Sequence, residues 1–178
     1  MTLPTTTGEH GSASTMALLA GIPTQLLIGG GWHPSGDGRG IDVLDPANGQ
    51  VLATVADGTV DDGLAAVQSA HDALAGWAAT APRRRSEVLR RAFELMVERS
   101  EDLARLIVLE NGKALPDARG EVAYAAEFFR WFSEEAVRAV GDVQTSPAGT
   151  NRILVIRQPI GVCVLVTPWN FPAAMATR

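Results

Sequence analysis

The sequence holds a single cysteine, Cys163, so no disulfide can form within the chain and nothing points to an oxidising compartment. Basic charge is scarce as well, and a net charge of −5 argues against nucleic acid as the main partner. No apolar run approaches the length needed to cross a bilayer, so no membrane association is predicted. The short stretch Met16–Ala20 has no basic residue before it and is followed by Gly21 and Pro23; the first arginine is Arg39. Neither a secretory signal nor a transit peptide is therefore expected, and a cytoplasmic location is the default. No two histidines have metal-ligand spacing and no second cysteine is available for a zinc site, so no metal is predicted. Neither G-x-G-x-x-G nor a P-loop occurs, and no internal repeat is present.

What remains has the composition of a globular chain: 178 residues, 46% hydrophobic and 20% charged. That length suits one ordinary domain better than two. The arginines Arg83, Arg84, Arg85, Arg90 and Arg91 cluster, but Glu87, Glu94 and Glu98 interleave with them at helical spacing. A solvated, salt-bridged face is the reading this pattern favours over an anion-binding patch.

Residues 1–22, rich in Thr, Ser, Gly and Ala, read as a disordered leader. A β-rich segment follows. Gln25–Ile28 and Trp32–His33 flank Gly29-Gly30-Gly31, and Ile41–Leu44 and Val51–Val55 flank Asp45-Pro46-Ala47-Asn48-Gly49; both patterns are hairpin signals. Helices come next. Thr59 caps a segment through Trp77 with Asp61 and Asp62 in its first turn. Pro82 opens a second helix, on which Leu89, Phe93, Met96 and Val97 recur at helical spacing. Ser100 reads as the N-cap of a third that stops at Gly112, and a fourth runs from Pro116 to about Val140. The stripe Val122, Ala125, Phe129, Phe132, Ala136 and Val140 assigns one face of that fourth helix to a core. Arg152–Arg157 then alternates, and the unbroken apolar run 162–166 reads as a strand buried on both faces.

The loop after that run carries the recognisable chemistry: Thr167-Pro168-Trp169-Asn170-Phe171-Pro172. Open α/β sheets place ligands just beyond the carboxyl ends of their strands. The Asn170 amide, held between prolines, is a preorganised hydrogen-bond donor of the type that stabilises a developing oxyanion. A lone loop Asn commonly serves only a turn; a turn does not require the bulky Trp169 and Phe171 beside it, which favours function. Pro172 with Ala173, Ala174, Met175 and Ala176 reads as the start of a helix, whose N-terminus favours anions such as a dinucleotide phosphate. Taken alone, Arg178 reads as a solvated side chain, Cys163 as a buried structural thiol, and Glu110-Asn111-Gly112-Lys113 as a helix terminus in which a role for Lys113 is not required.

The hexad resembles the signature loop of the aldehyde dehydrogenase superfamily, and the resemblance extends from about Leu26 to Arg178. It takes in Asp45–Gly49, Leu109-Glu110-Asn111-Gly112-Lys113 and the β-arm Arg152–Ile160. Ala118–Ala126 with Trp131–Ala136, and Phe171–Arg178, resemble the succinate-semialdehyde dehydrogenase branch. The resemblance implies an α/β fold, of which this chain supplies the N-terminal part: β-hairpins, four helices, a β-arm and the first buried parallel strand of a Rossmann-like cofactor domain. On that reading residues 23–178 are an incomplete segment of the cofactor-binding domain, with 142–160 as an oligomerisation arm. It further implies that Asn170 is the oxyanion donor, that Arg178 binds the substrate carboxylate, and that Thr167, Pro168 and Trp169 line a cleft for NADP or NAD. The partners implied are a small-molecule semialdehyde and further copies of the enzyme in a homo-oligomer. The family's nucleophilic Cys, general-base Glu and dinucleotide turn belong downstream of the loop, and Cys163 does not match the nucleophile position.

Two functional expectations follow. The first is the N-terminal portion of an NAD(P)-dependent semialdehyde dehydrogenase, inactive by itself. The second is a non-enzymatic remnant that binds a partner through its β-arm and helices. Because 162–166 is apolar on both faces while the neighbouring βαβ units are not in the sequence, the first is favoured.

Overall fold

The computed structural model describes residues 9–178 and, for side chains, residues 13–178. The chain divides into two compact units: residues up to Ala66 with Leu109–Gly112, and Val67–Val108 with Lys113–Arg178.

The first unit begins with helix α1 (Glu9–Ala20), inside the stretch whose composition predicts a disordered leader. Met16, Ala17, Leu18 and Leu19 are good helix formers, and the amides of Gly21 and Ile22 close the last turn onto the carbonyls of Leu18 and Leu19. Residues 1–8 of the predicted leader lie outside the described residues. Strands β1 (Leu26–Ile28) and β2 (Gly31–His33) pair antiparallel as predicted. Gly29 and Gly30 link them at φ 62° and 80°, the two positive values that a tight hairpin turn demands and glycine alone adopts without strain. Strands β3 (Gly40–Leu44) and β4 (Val51–Ala56) form the second predicted hairpin. Asp45 organises its turn: its carboxylate accepts the Ala47 amide at 2.8 Å and its carbonyl accepts the Gly49 amide at 2.7 Å.

Helix α2 (Val60–Ala79) starts at a reciprocal cap. The Thr59 hydroxyl accepts the Asp62 amide at 3.1 Å, and Asp62 Oδ2 accepts the Thr59 amide at 2.8 Å. The same carboxylate oxygen takes the Gly36 amide at 3.0 Å, and these donors hold Asp62 below the usual carboxylate range.

In the second unit, α3 (Pro82–Glu98) and α4 (Ser100–Asn111) are separated by Arg99 alone. The Arg99 carbonyl accepts the Leu103 amide at 3.0 Å, so Arg99 holds the cap position predicted for Ser100, and Ser100 is the first helical residue. The α3 arginines pair with Glu87, Glu94 and Glu98 on an exposed face, as the charge pattern predicts. Gly112, at φ 71°, ends α4; a side chain there would also meet the Pro46 ring at 3.0 Å.

Helix α5 (Leu115–Glu135) lies along α3 and buries Ala118, Val122, Ala125 and Ala126. Ala118 and Val122 meet Ala104 and Ile107 of α4, with Leu103, Val108, Leu115 and Ala173 packed around them. The core is built mostly of alanine, which lets helices approach closely but buries little apolar volume. The predicted stripe on α5 is only half realised. Val122 and Ala125 are buried and Phe129 partly so, whereas Phe132 is half-exposed and Val140, beyond the end of the helix, is 67% exposed.

Strands β5 (Asp142–Thr145) and β6 (Arg152–Val155) form the predicted arm as an antiparallel hairpin exposed along both strands. The strand predicted over 162–166 does not form. Those residues are unpaired, and Val164, Leu165 and Val166 are 74%, 74% and 92% exposed. A parallel strand exists only through hydrogen bonds to a neighbour, and the sheets among the described residues are three separate antiparallel pairs. Cys163 is correspondingly exposed rather than buried. A short helix, α6 (Ala174–Thr177), follows the hexad. No helix among the described residues is long and apolar enough to cross a membrane.

Two outcomes check this arrangement. Ile107→Ala is expected to cost about 2–5 kcal/mol in urea unfolding, while Val140→Ala shifts stability by less than about 0.5 kcal/mol; comparable losses would mean that the stripe is buried along its whole length. Cys163 is expected to react fully with a maleimide in the absence of denaturant. Protection that only denaturant removes would restore the buried strand.

Candidate functional site

The site is assembled where the hexad meets α5. Lys113 sits in the short link between Gly112 and α5, and it is the only lysine in the sequence. Its side chain is 15% exposed, and that of Glu121, one and a half turns into α5, is 1% exposed. The two form an ion pair through Lys113 Nζ and Glu121 Oε2. Lys113 Nζ also donates to the backbone carbonyl of Asn170 at 2.9 Å and lies 4.3 Å from the centroid of the Phe171 ring. The second oxygen of Glu121, Oε1, accepts the backbone amides of Ala173 at 2.9 Å and Ala174 at 3.3 Å.

That last contact corrects an expectation. The start of α6 is not open to a phosphate, because Glu121 already occupies its first amides; the anion favoured at this helix N-terminus is a side chain of the protein itself. Ala174 is fully buried beside this carboxylate. Among the described residues, no buried side-chain nitrogen or oxygen lacks a hydrogen-bond partner.

Asn170 and Phe171 line an open groove of about 480 Å³ together with Lys113, Pro116, Gly120 and Tyr124. Among the described residues, nothing hydrogen-bonds the Asn170 side-chain amide, so its N–H donors remain available to a ligand while its backbone is held. Thr167, Pro168 and Trp169 are exposed, Trp169 to 80%. Arg178 closes α6 through its amide, which donates to Ala174 at 3.1 Å; its side chain is exposed and does not line the groove. The structure thus brings Asn170 together with Lys113 and Glu121, and leaves Arg178 and the Thr167–Trp169 segment at the surface on either side. Among the described residues no group of three or more His, Cys, Asp or Glu side chains is placed to hold a metal ion.

Sequence reasoning missed Glu121 and undervalued Lys113. Two signals were available: Lys113 has no other lysine in the chain to compare with, and Glu121 falls one residue before Val122 on the core-facing stripe of α5.

Comparison with known proteins identifies the family. The family model described as "Aldehyde dehydrogenase family" matches residues 32–178. A succinate-semialdehyde dehydrogenase of Paenarthrobacter nicotinovorans is 59% identical over 128 residues, covering 72% of this chain and 28% of that protein. The NADP(+) succinate-semialdehyde dehydrogenase of Escherichia coli is 47% identical over 154 residues, covering 86% of this chain and 32% of its own length. The crystal structure of betaine aldehyde dehydrogenase from Staphylococcus aureus in complex with NAD+ superposes with a TM-score of 0.87 at 28% identity, covering 93% of this chain and 33% of that one. The chain spans about a third of the length of the curated relatives it matches. With its mixed helices and strands taking up a portion of that fold, the chain belongs to the aldehyde dehydrogenase family.

Proposed function

We propose that this chain is the amino-terminal portion of an NAD(P)-dependent semialdehyde dehydrogenase, of the succinate-semialdehyde type, that oxidises an aldehyde to a carboxylate. The observation that carries the reading is Asn170: its backbone carbonyl is held by Lys113, it lines an open groove, and its side-chain amide has no hydrogen bond among the described residues. An amide so placed can hydrogen-bond the oxygen of a carbonyl as it becomes an oxyanion, and no reorganisation is needed at the moment of attack.

The other residues take subsidiary roles in this proposal. Arg178 presents a planar fork of donors suited to the carboxylate at the far end of a semialdehyde. Thr167, Pro168 and Trp169 form one wall of the cofactor cleft; their exposure fits contact with a large planar ligand, whereas α6 offers no free amides for its phosphates. When bound, NAD or NADP supplies the hydride acceptor. The thiolate that attacks the carbonyl and the carboxylate that activates water are assigned to the portion of the relatives that this chain does not span. Copies of the enzyme associate through the β5–β6 arm, and its location is cytoplasmic.

A second reading, a non-enzymatic module that binds a partner, draws on the exposure of Val143, Leu154 and Ile156 on and beside the arm. The exposed run 162–166 favours the first reading, since a segment with no polar face demands cover from the rest of a sheet.

Purified 1–178 is expected to form no NADPH or NADH from succinic semialdehyde and to aggregate as light scattering is followed over time. Turnover by this polypeptide would overturn the assignment of nucleophile and base elsewhere, and a monodisperse, cooperatively melting monomer would overturn the expectation of aggregation. In the complete enzyme carrying this segment, Asn170→Ala should lower kcat by about 10²–10³-fold. Undiminished kcat would remove Asn170 from the reaction.

A further inference from the structure

We propose that Lys113 and Glu121 are positioning residues that hold the Asn170 backbone in register for oxyanion binding. The inference rests on the dehydrogenase reading of Asn170 and adds to it the means by which the donor is aimed.

An oxyanion donor is effective only where its position is fixed before reaction. Asn170 lies in an exposed loop that belongs to no sheet, and prolines at 168 and 172 restrict the backbone on its flanks. Attachment comes from α5 and the link before it. Lys113 Nζ grips the carbonyl of Asn170 itself, 57 positions away in sequence. Glu121 Oε1 grips the amides of Ala173 and Ala174, just beyond Pro172. Asn170 is therefore tethered at its own carbonyl from the link before α5, and the chain just beyond it is tethered at the Ala173 and Ala174 amides from α5 itself. The ammonium of Lys113 also rests against the Phe171 ring, which restricts the residue between the two tethers.

The ion pair makes the two tethers one device. Glu121 is buried and Lys113 nearly so, and each supplies the other's countercharge away from water. Loss of Lys113 removes the grip on the Asn170 carbonyl and at the same time leaves a buried carboxylate without its partner. Loss of the Glu121 charge frees the start of α6 and releases the ammonium to solvent. Neither residue needs to touch substrate; both act through the position of Asn170.

Hydrogen–deuterium exchange with mass spectrometry on the complete enzyme carrying this segment tests this without any turnover. Exchange is read in peptides covering 169–178 and expressed relative to α3 (82–98), which carries neither tether. Lys113→Met and Glu121→Gln are each expected to speed exchange in 169–178 by about tenfold or more relative to α3. Lys113→Arg, which keeps the charge and the donors, should return it to within about threefold of the wild type. Unchanged exchange in the loop would overturn the proposal, and so would an equal rise in loop and α3, which would mark the pair as merely structural. Because the readout is independent of catalysis, either failure leaves the dehydrogenase reading standing. An active Asn170→Ala enzyme would remove that reading and leave the tethers measurable.

Discussion

The buried contact between Glu121 and Lys113 is the constraint on which the arrangement of the site depends. Charged side chains are rarely buried, because each forfeits several kcal/mol of hydration that a single partner seldom restores. Here each partner has more than one. Glu121 receives an ammonium and two backbone amides, and Lys113 donates to a carboxylate and a carbonyl while its remaining surface meets an aromatic face. The pair is thus surrounded by groups that would themselves be unsatisfied without it. Helix α5, the link before it and the loop after Pro168 are joined by these polar contacts as well as by the packing of Ala173 against the α4–α5 core.

Apolar packing could not supply this hold, given how little of it the second unit contains. The fully buried hydrophobic side chains are mostly alanines, with Val122 and Ile107 the largest. Small residues allow α4 and α5 to approach closely, yet each contributes only a fraction of the burial energy of a leucine or phenylalanine. The larger apolar residues are at the surface: Trp131 and Phe132 on α5, Leu154 on the arm, Val164 to Val166 before the hexad. Such a distribution supports the proposed reading of the chain as one portion of a larger enzyme, and the chain spans about a third of the length of its curated relatives.

Much of this was legible in the sequence because local rules and tertiary outcome coincide. Gly29-Gly30 specifies its turn by backbone freedom alone, Thr59 and Asp62 specify a helix start by reciprocal hydrogen bonds, and Gly112 specifies a stop. Each of these is settled within a few residues. The hexad was legible for a different reason, since prolines on both sides of an amide do little except hold it in place. What failed was whatever depends on distant partners. The run 162–166 states a demand for burial, and nothing within the run tells whether that demand is met. The leader's composition favours disorder, while the short run Met16–Leu19 within it carries enough helix propensity to form α1. Glu121 was invisible because an acidic residue on a helix is ordinarily solvated, and its burial is decided by Lys113 and by amides more than fifty positions away.

The choice of an ion pair at this point, where an apolar contact would cost less, follows from what must be held. The loop from Pro168 to Pro172 pairs with no strand, the amides of Ala173 and Ala174 just beyond it are partly buried and buried, and an unpaired buried peptide group costs about 1–3 kcal/mol. An apolar pair in place of Glu121 and Lys113 would save their desolvation but would leave the amides of Ala173 and Ala174 without their acceptor. It would also grip the loop without direction, since apolar contacts tolerate sliding that a charge-assisted hydrogen bond does not. A site whose donor must be aimed requires the directional contact, and the desolvation of two charges is the accompanying cost. On the proposed reading the burial of Glu121 and the exposure of the Asn170 amide are one feature: the backbone is satisfied from the protein side and the side chain is left for the substrate.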